Sequence, residues 1–504
     1  MSEKGYALGE VARMGSMRDQ HDGWHLEALP VRSLDELQGM EHVIANLDPK
    51  SWPTGRKWRI MSIVSWLSLV SPLASSILAP ATPLLDAEFN NHSQILSTFA
   101  VSFFILGYVV GSLIAAPLSE RYGRKIVLDI ATALFVVWQL GCALAPNITT
   151  LLIFRIFAGL AGSACFSIGG GIVSDLFESN ERGTATAVFA LGPLLGPVIG
   201  PVAGAFLSQR NGWRWVFWLL LILGGLSLLL QVIGGRETNL RIITSREKSF
   251  ADRPRRWWHY LDWYASVPVS PTAAGHTNIT LMKSMLRPWQ FIFTSPIGGI
   301  LCLYSGFVYG LLYLLLTTIS TVFVQKYHWS VGLSGLAYIG IGIGFILGVV
   351  VIGGTSDRIM ARRARLNNET AIPEIRLDVC IYFSFFIPAS FFLYGWSANE
   401  HVFWLAPIVG LVLFGLGLIG IILPIQTYMI DAFPDYAASS TAALASSRNL
   451  VGTFLPLAGP YLYAAIGIGL GNTLLGIVAF VFIPAPYFIA KHGEKLRLKY
   501  PIKI

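Results

Sequence analysis

The chain of 504 residues is 54% hydrophobic and only 13% charged, with a formal net charge of +8 and a mean hydropathy of +0.60. Soluble domains carry roughly 25% charged residues, so this composition cannot clothe its apolar bulk in water and excludes an ordinary soluble protein. A basic excess can signal nucleic acid or membrane; its placement, described below, points to membrane, and no nucleic-acid partner is expected.

In chain order, residues 1–58 form a polar, cytoplasmic N-terminal tail. Its opening "MSEKGYALGEVARMGSMRDQ" lacks the basic-then-apolar pattern of a signal peptide, so no cleaved leader is expected. A crossing helix needs about 20 mainly apolar residues. Twelve such segments begin near residues 60, 95, 126, 149, 184, 214, 290, 331, 377, 402, 438 and 466. Six fill 59–234 and six fill 288–490, with a cytoplasmic loop over 235–287 between them and a cytoplasmic tail over 491–504. The seventh, "FIFTSPIGGILCLYSGFVYGLLYLLLTTISTVF", is long enough to tilt or bend. The expected fold class is an all-α membrane protein of twelve transmembrane helices in two six-helix bundles.

Placing the N-terminus in the cytoplasm puts 31 of the 36 Lys and Arg residues on that side. The outer loops then hold only Arg210, Arg214 and Lys326, while Arg155 and Arg448 stay inside spans. This asymmetry satisfies the positive-inside rule, sets both termini in the cytoplasm and accounts for the basic excess. Asn91 and Asn147 are the sequons that fall outside. The central "RPRRWWHYLDWY" mixes Arg with aromatics, which suits a helix lying on the membrane face, with a solvated linker as the alternative. The four cysteines, Cys142, Cys165, Cys302 and Cys380, lie in apolar runs without metal-like spacing and read as small hydrophobes.

Polar chemistry concentrates at span ends. The loop after the second span, "APLSERYGRKIV", sets Glu120, Arg121, Gly123, Arg124 and Lys125 together, a cluster able to latch two bundles through charge-assisted bonds. Six spans later "GGTSDRIMARRAR" places Asp357 and Arg358 at the matching position, as expected of a transporter built from repeats. A plain basic loop is the alternative in both places.

"APLSERYGRK" resembles the loop signature of the major facilitator superfamily, although Glu120 replaces the usual Asp and Ala116 the usual leading Gly; the second copy has Met360 where Gly is usual. "RIFAGLAG", with Arg155 and Gly159, resembles the fourth-span element of that family. "LGPLLGPVIGPVAG" resembles the antiporter signature of the fifth span: Gly192, Gly196, Pro197 and Gly200 match, while Pro201 stands where a second Gly is usual. "NGWRWVFWL", "DLFESNERGTATA", "SGFVYGLLYL" and "ASSRNLVGTFLPL" resemble the fungal twelve-span drug:proton antiporters, whereas "GGRETNLR" keeps Glu237 and Thr238 but departs at Asn239. The resemblance spans residues 48–500. It implies the major facilitator fold of two pseudo-symmetric halves. It also implies proton-coupled efflux of a small organic compound (a drug, toxin or secondary metabolite) by alternating access.

Inside lipid, carbonyls freed by Pro193, Pro197 and Pro201 can be satisfied by neighbouring helices, and small residues let backbones approach. Gly192, Gly196, Gly200 and Gly204 repeat at four-residue spacing, as do Gly340, Gly344 and Gly348 in the eighth span. Because the family fold sets these two spans against each other, the two glycine faces are expected to meet in an outer seam that opens and closes.

Charges within hydrocarbon usually mark function. Arg155 has three readings: an anion site, a proton relay, or a tie to backbone carbonyls. Arg448, beside Asn449, is weighed evenly between function and structure. Tyr309 and Tyr313 share a face of the seventh span and suit either a cavity wall or plain packing; Tyr304 points elsewhere, and Gln426 is a further cavity candidate. Every carboxylate lies near a span end, so Glu120 and Asp175 are proton-coupling candidates only. No metal cluster, Walker loop or catalytic triad spacing is present, and "GLGLIG" at Gly415–Gly420 lacks the strand a dinucleotide fingerprint needs. The expectation is a monomeric, non-enzymatic transporter with no cofactor or metal, using a small-molecule substrate and protons, in the plasma membrane or the vacuolar membrane. An importer or facilitator of a nutrient, polyamine or organic acid is the alternative. A sensor is less favoured because the loop and tails are too short for a signalling domain.

Overall fold

The computed structural model describes residues 48–178, 181–240, 242–244, 277–352, 373–433 and 436–499, and among these residues it contains helices and no strand. Among the described residues eleven apolar helical runs are long enough to cross a membrane. They are α1 (Thr54–Glu88), α2 (Gln94–Tyr122), α3 (Arg124–Ala143), α4 (Ile148–Leu176), α5 (Arg182–Asn211) and α6 (Arg214–Gly234), followed by α7 (Pro296–Tyr327), α8 (Val331–Ile352), α9 (Ile375–Asn399), α10 (Leu405–Ala432) and a run over Ser439–Gly493. That last run of 55 residues would extend roughly 80 Å if straight, far beyond a bilayer. It reverses at Gly467, whose φ of 78° is a conformation that glycine adopts without a Cβ penalty. Across the reversal Tyr463 Oη donates to Asn472 Oδ1 at 3.0 Å. The run is therefore two crossings, α11 (437–466) and α12 (468–499), which makes twelve.

The expected starts agree with these helices to within a few residues, with two informative differences. Helix α1 begins at Thr54, ahead of the apolar stretch, because Pro53 precedes it and nothing in "TGRKWR" breaks a helix. The long seventh segment is divided: one helix runs over Thr277–Thr294, and α7 starts at Pro296 after Ser295, whose Oγ accepts from Gly298 N at 3.1 Å. Serine as the cap and proline in the first helical position are the residues that such a start favours. The aromatic stretch 253–264 of the central loop lies outside the described residues.

Helix α5 remains continuous through Pro193, Pro197 and Pro201. Pro193 cannot donate to the carbonyl of Phe189, and Ser68 Oγ of α1 lies 3.2 Å from that carbonyl, sharing its one proton with Ser65 O at 2.8 Å. Nearby, α1 and α5 approach until backbone meets backbone. A Cβ at Gly196 would lie 2.7 Å from Pro72 Cβ and 2.8 Å from Leu73 N, and Gly192, Gly200 and Gly204 press likewise on Ser68, Ser76 and Ile77. At the end of the molecule holding the α1–α2 and α5–α6 turns, here the distal face, Glu88 accepts from Trp213 Nε1 at 2.6 Å and pairs with Arg214 at 2.8 Å. Arg214 also donates to the carbonyls of Ala143 and Ala145, so one residue ties α1, α3 and α6 together.

Candidate functional site

Two arginines sit at mid-depth in spans, and the structure treats them differently. Arg155 of α4 is 0% exposed and donates to four main-chain carbonyls: Nη1 to Ala74 at 2.7 Å, Nη2 to Ser75 and Val101 at 3.1 Å each, and Nε to Ala100 at 3.0 Å. The first helical part of α1 ends at Ser76, so the carbonyls of Ala74 and Ser75 belong to the group that a helix C-terminus leaves without intrahelical donors. The guanidinium fills that deficit while its plane packs 4.8 Å from the Phe104 ring. Of the readings open for Arg155, the structure displays the tie to backbone carbonyls.

Ser75 continues the connection across the halves. Its Oγ donates to Pro72 O at 2.7 Å, so Tyr313 Oη of α7, 2.8 Å away, must be the donor in the bond between the two hydroxyls. Tyr313 packs against Tyr309 with ring centroids 5.3 Å apart, and the Arg448 guanidinium of α11 lies over the Tyr309 ring at 6.0 Å. Gly452, one turn beyond Arg448, leaves both tyrosine rings uncovered by any side chain of its own, its Cβ position being 3.3 Å from Tyr309 Cδ1 and 3.6 Å from Tyr313 Cδ2. Tyr309, Tyr313 and Arg448 are thus gathered in one place where α1, α7 and α11 converge. Tyr304 turns away, donating to Ser384 Oγ at 2.8 Å and stacking on Phe482. Gln426 is half-buried in α10 without a hydrogen-bond partner among the described residues, and Asn449 is buried with its main-chain carbonyl accepting from Thr453 Oγ1.

The distal side of this convergence is closed by contacts between the halves. Gly332 N donates to Gln209 Oε1 at 2.6 Å, Gly335 abuts Pro201, Val202 and Ala205, and Gly342 abuts Val198. Phe99 of α2 meets Phe454 of α11 edge-on at 6.4 Å. The α5–α8 seam exists, but it is not made by the residues expected from sequence. Gly192, Gly196, Gly200 and Gly204 face α1, while Gly340, Gly344 and Gly348 face Ile408, Val412, Gly415 and Ile419 of α10. Each glycine stripe seals a helix pair within its own half. The seam between halves uses the neighbouring faces, because a stripe drifting around a helix specifies a close approach without specifying the partner.

At the opposite, basic end, Gly123 (φ 108°) makes the abrupt turn from α2 into α3. Glu237, only 2% exposed, caps that start: Arg124 N donates to Oε1 at 2.9 Å and Lys125 N to Oε2 at 3.1 Å, with Thr238 N and Asn239 N also donating to Oε1. The Arg124 side chain pairs with Asp175 at 3.3 Å and donates to Ser119 Oγ, and Thr238 Oγ1 donates to the same Asp175 oxygen. Lys125 pairs with Asp129 at 2.6 Å. Four chain segments therefore meet on Arg124, Lys125, Asp175 and Glu237. Of the expected latch, Arg121 lies beside the Tyr122 ring, and Glu120 is exposed without an ion pair among the described residues. Glu237 was not among the candidates read from sequence; the tight Gly123 turn, which leaves the first N–H groups of α3 in need of an acceptor, is the signal that asks for it. Asp357 and Arg358 lie outside the described residues. In the second half Arg376 pairs with Asp431 at 2.5 Å and Arg497 with the buried Glu374 at 2.8 Å, tying α9 to α10 and α12.

Comparison with known proteins agrees with this architecture. Residues 64–456 match the family model described as Major Facilitator Superfamily. The chain is 43% identical over 460 residues to the MFS transporter cpaT of Aspergillus oryzae, covering 90% of this chain and 91% of the relative. It is 41% identical over 451 residues to the MFS-type transporter penM of Penicillium rubens (89% and 87%), and 38% identical over 451 residues to the efflux pump radE of Floropilus chiversii (89% and 82%). Among solved structures it is similar to the partially occluded inward-open form of the xylose transporter XylE from E. coli, with a TM-score of 0.65 and 17% identity over 87% of this chain and 98% of that one. That last likeness concerns the fold alone.

Proposed function

The chain belongs to the major facilitator superfamily and is a membrane transporter, not an enzyme; from that premise we propose that it exports a small organic compound, of the drug, toxin or secondary-metabolite kind, in exchange for protons. The observation that carries the direction is the near full-length similarity to a fungal relative named an efflux pump. The basic end, with Arg124, Lys125 and Arg182, is read as the cytoplasmic face of a plasma-membrane monomer. The contacts closing the distal face then form the outer gate. Alternating access requires the Tyr313–Ser75 bond, the Gln209–Gly332 bond and the Phe99–Phe454 contact to separate together while the halves rock. Asp175 is the stronger proton-coupling candidate, because its protonation would release Arg124 and Thr238 at the junction of α2, α3 and α4; Glu120, exposed on the same loop, is the second. Untargeted profiling of cells and medium, comparing a disruptant with an overexpressing strain, tests the reading. One or more compounds should move from cells to medium on overexpression, and a protonophore should abolish the movement. Uptake in place of export, or export indifferent to the protonophore, overturns it.

A further inference from the structure

The contrast between the two intramembrane arginines reaches further than the fold. Both carry a cation at a depth where an uncompensated charge is expensive. Arg155 is fully compensated by four carbonyls. Arg448 is only half-buried; its guanidinium lies over the face of Tyr309 with the Cys302 thiol nearby, and among the described residues it has no hydrogen bond or ion pair. Among the described residues no carboxylate pairs with it: Glu374 and Asp378 lie at the start of α9, Glu400 just past its end and Asp431 in the last turn of α10. A ring face compensates a desolvated guanidinium only in part and leaves its N–H donors unused.

The surroundings supply the rest of a recognition site. Gly306 and Gly310 let α7 press against Ser447, Val451 and Leu455 of α11, so the packed side of α11 is spent on α7. Arg448 and Gly452 fall on the flank beside the Tyr309 and Tyr313 rings, and Tyr313 in turn reaches Ser75 of the other half. An aromatic wall, a guanidinium with free donors and a position at the junction of the halves fit an amphipathic acid. Its ring or alkyl body would lie on the tyrosines and its anionic group would meet Arg448. Resting on the transport function proposed above, we infer that the substrate class is organic anions, carboxylic acids or comparably acidic compounds, with Arg448 as the anion-recognising residue and Tyr309 as its aromatic platform. A bidentate carboxylate is the geometry that a guanidinium matches best.

The test uses the purified full chain in a neutral maltoside detergent at pH 7, titrated with 1-naphthoate and 4-biphenylcarboxylate and with the matched primary amides, and followed by quenching of tryptophan fluorescence. The acids should bind at least tenfold more tightly than their amides. Arg448→Gln should remove that preference while leaving amide binding unchanged, and Arg448→Lys should retain part of it. A parallel titration with phosphatidylglycerol, an anionic lipid, separates a substrate site from a headgroup site: it should compete with neither acid. Unfolding midpoints of the variants close to that of the parent chain exclude loss of fold. Equal binding of acids and amides, no binding of the acids, an undiminished acid preference in Arg448→Gln, or displacement of the acids by the lipid would each overturn the assignment. Because binding is measured without flux, a failed export assay alongside a clear acid preference counts against the transport direction and not against this site.

Discussion

Removing the Arg155 guanidinium provides a demanding check on how the first half is held together. In Arg155→Leu the carbonyls of Ala74 and Ser75, at the end of a helix with no further N–H groups to offer, lose their partners inside protein. A buried acceptor left unsatisfied costs about 1–3 kcal/mol, so the two together cost about 2–6 kcal/mol. The carbonyls of Ala100 and Val101 lie within the continuous helix α2 and retain helical donors, so they add little. Relief from burying a cation acts in the opposite direction, which places the expected loss near the lower end, about 2 kcal/mol. Arg155→Lys keeps the charge but replaces a planar fork by three donors on one atom, which cannot reach all four carbonyls at once; it should fall between the parent and Arg155→Leu. Sodium dodecyl sulfate titration of the purified protein in mixed micelles, read by tryptophan fluorescence, measures these differences. Arg448→Leu, which removes no carbonyl partner, is the control. If Arg155→Leu unfolds within about 0.5 kcal/mol of the parent, or if the control is hurt more, the carbonyl accounting is wrong.

Three other outcomes follow from particular contacts. Gly196→Ala must displace backbone atoms of Pro72 and Leu73 and should destabilise by about 1–3 kcal/mol, whereas Gly225→Ala, where the added methyl meets open space, should be neutral or slightly stabilising in the same titration. Gly335→Leu drives a side chain into Pro201 and Ala205 at the α5–α8 seam; a cysteine placed at Val198, opposite Gly342, should then be labelled faster by a membrane-impermeant maleimide applied from outside, and an unchanged rate would remove the seam from the gate. Glu237→Gln puts an amide donor where four main-chain N–H groups converge, so backbone hydrogen exchange at Arg124 and Lys125 should accelerate by tenfold or more, matching a local loss of about 1.4 kcal/mol; unaltered protection there would show that the cap is dispensable.

Crossing number, bundle organisation and the basic face were legible before any coordinates, because lipid demands continuous apolar runs and segregates Lys and Arg whatever the helices pack against. The eleventh and twelfth crossings were already separated near residue 466, and what the structure adds is that their reversal rests on a single residue, Gly467. Glycine periodicity likewise announced close packing at Gly196 and Gly344 but not its partners, α1 and α10, since a stripe defines a face and the neighbour is chosen only when twelve helices assemble. The same holds for polar groups. Arg155 and Arg448 stood out in the sequence because charge in hydrocarbon is costly, yet in the structure one is tied to four carbonyls and the other lies beside a tyrosine ring. Bonds such as Ser75 to Tyr313, 238 positions apart, and Glu237 to Lys125, 112 apart, join residues whose separation along the chain carries no periodic trace. Solvent decides which segments are helices in the membrane, and only the assembled tertiary structure decides which donor meets which acceptor.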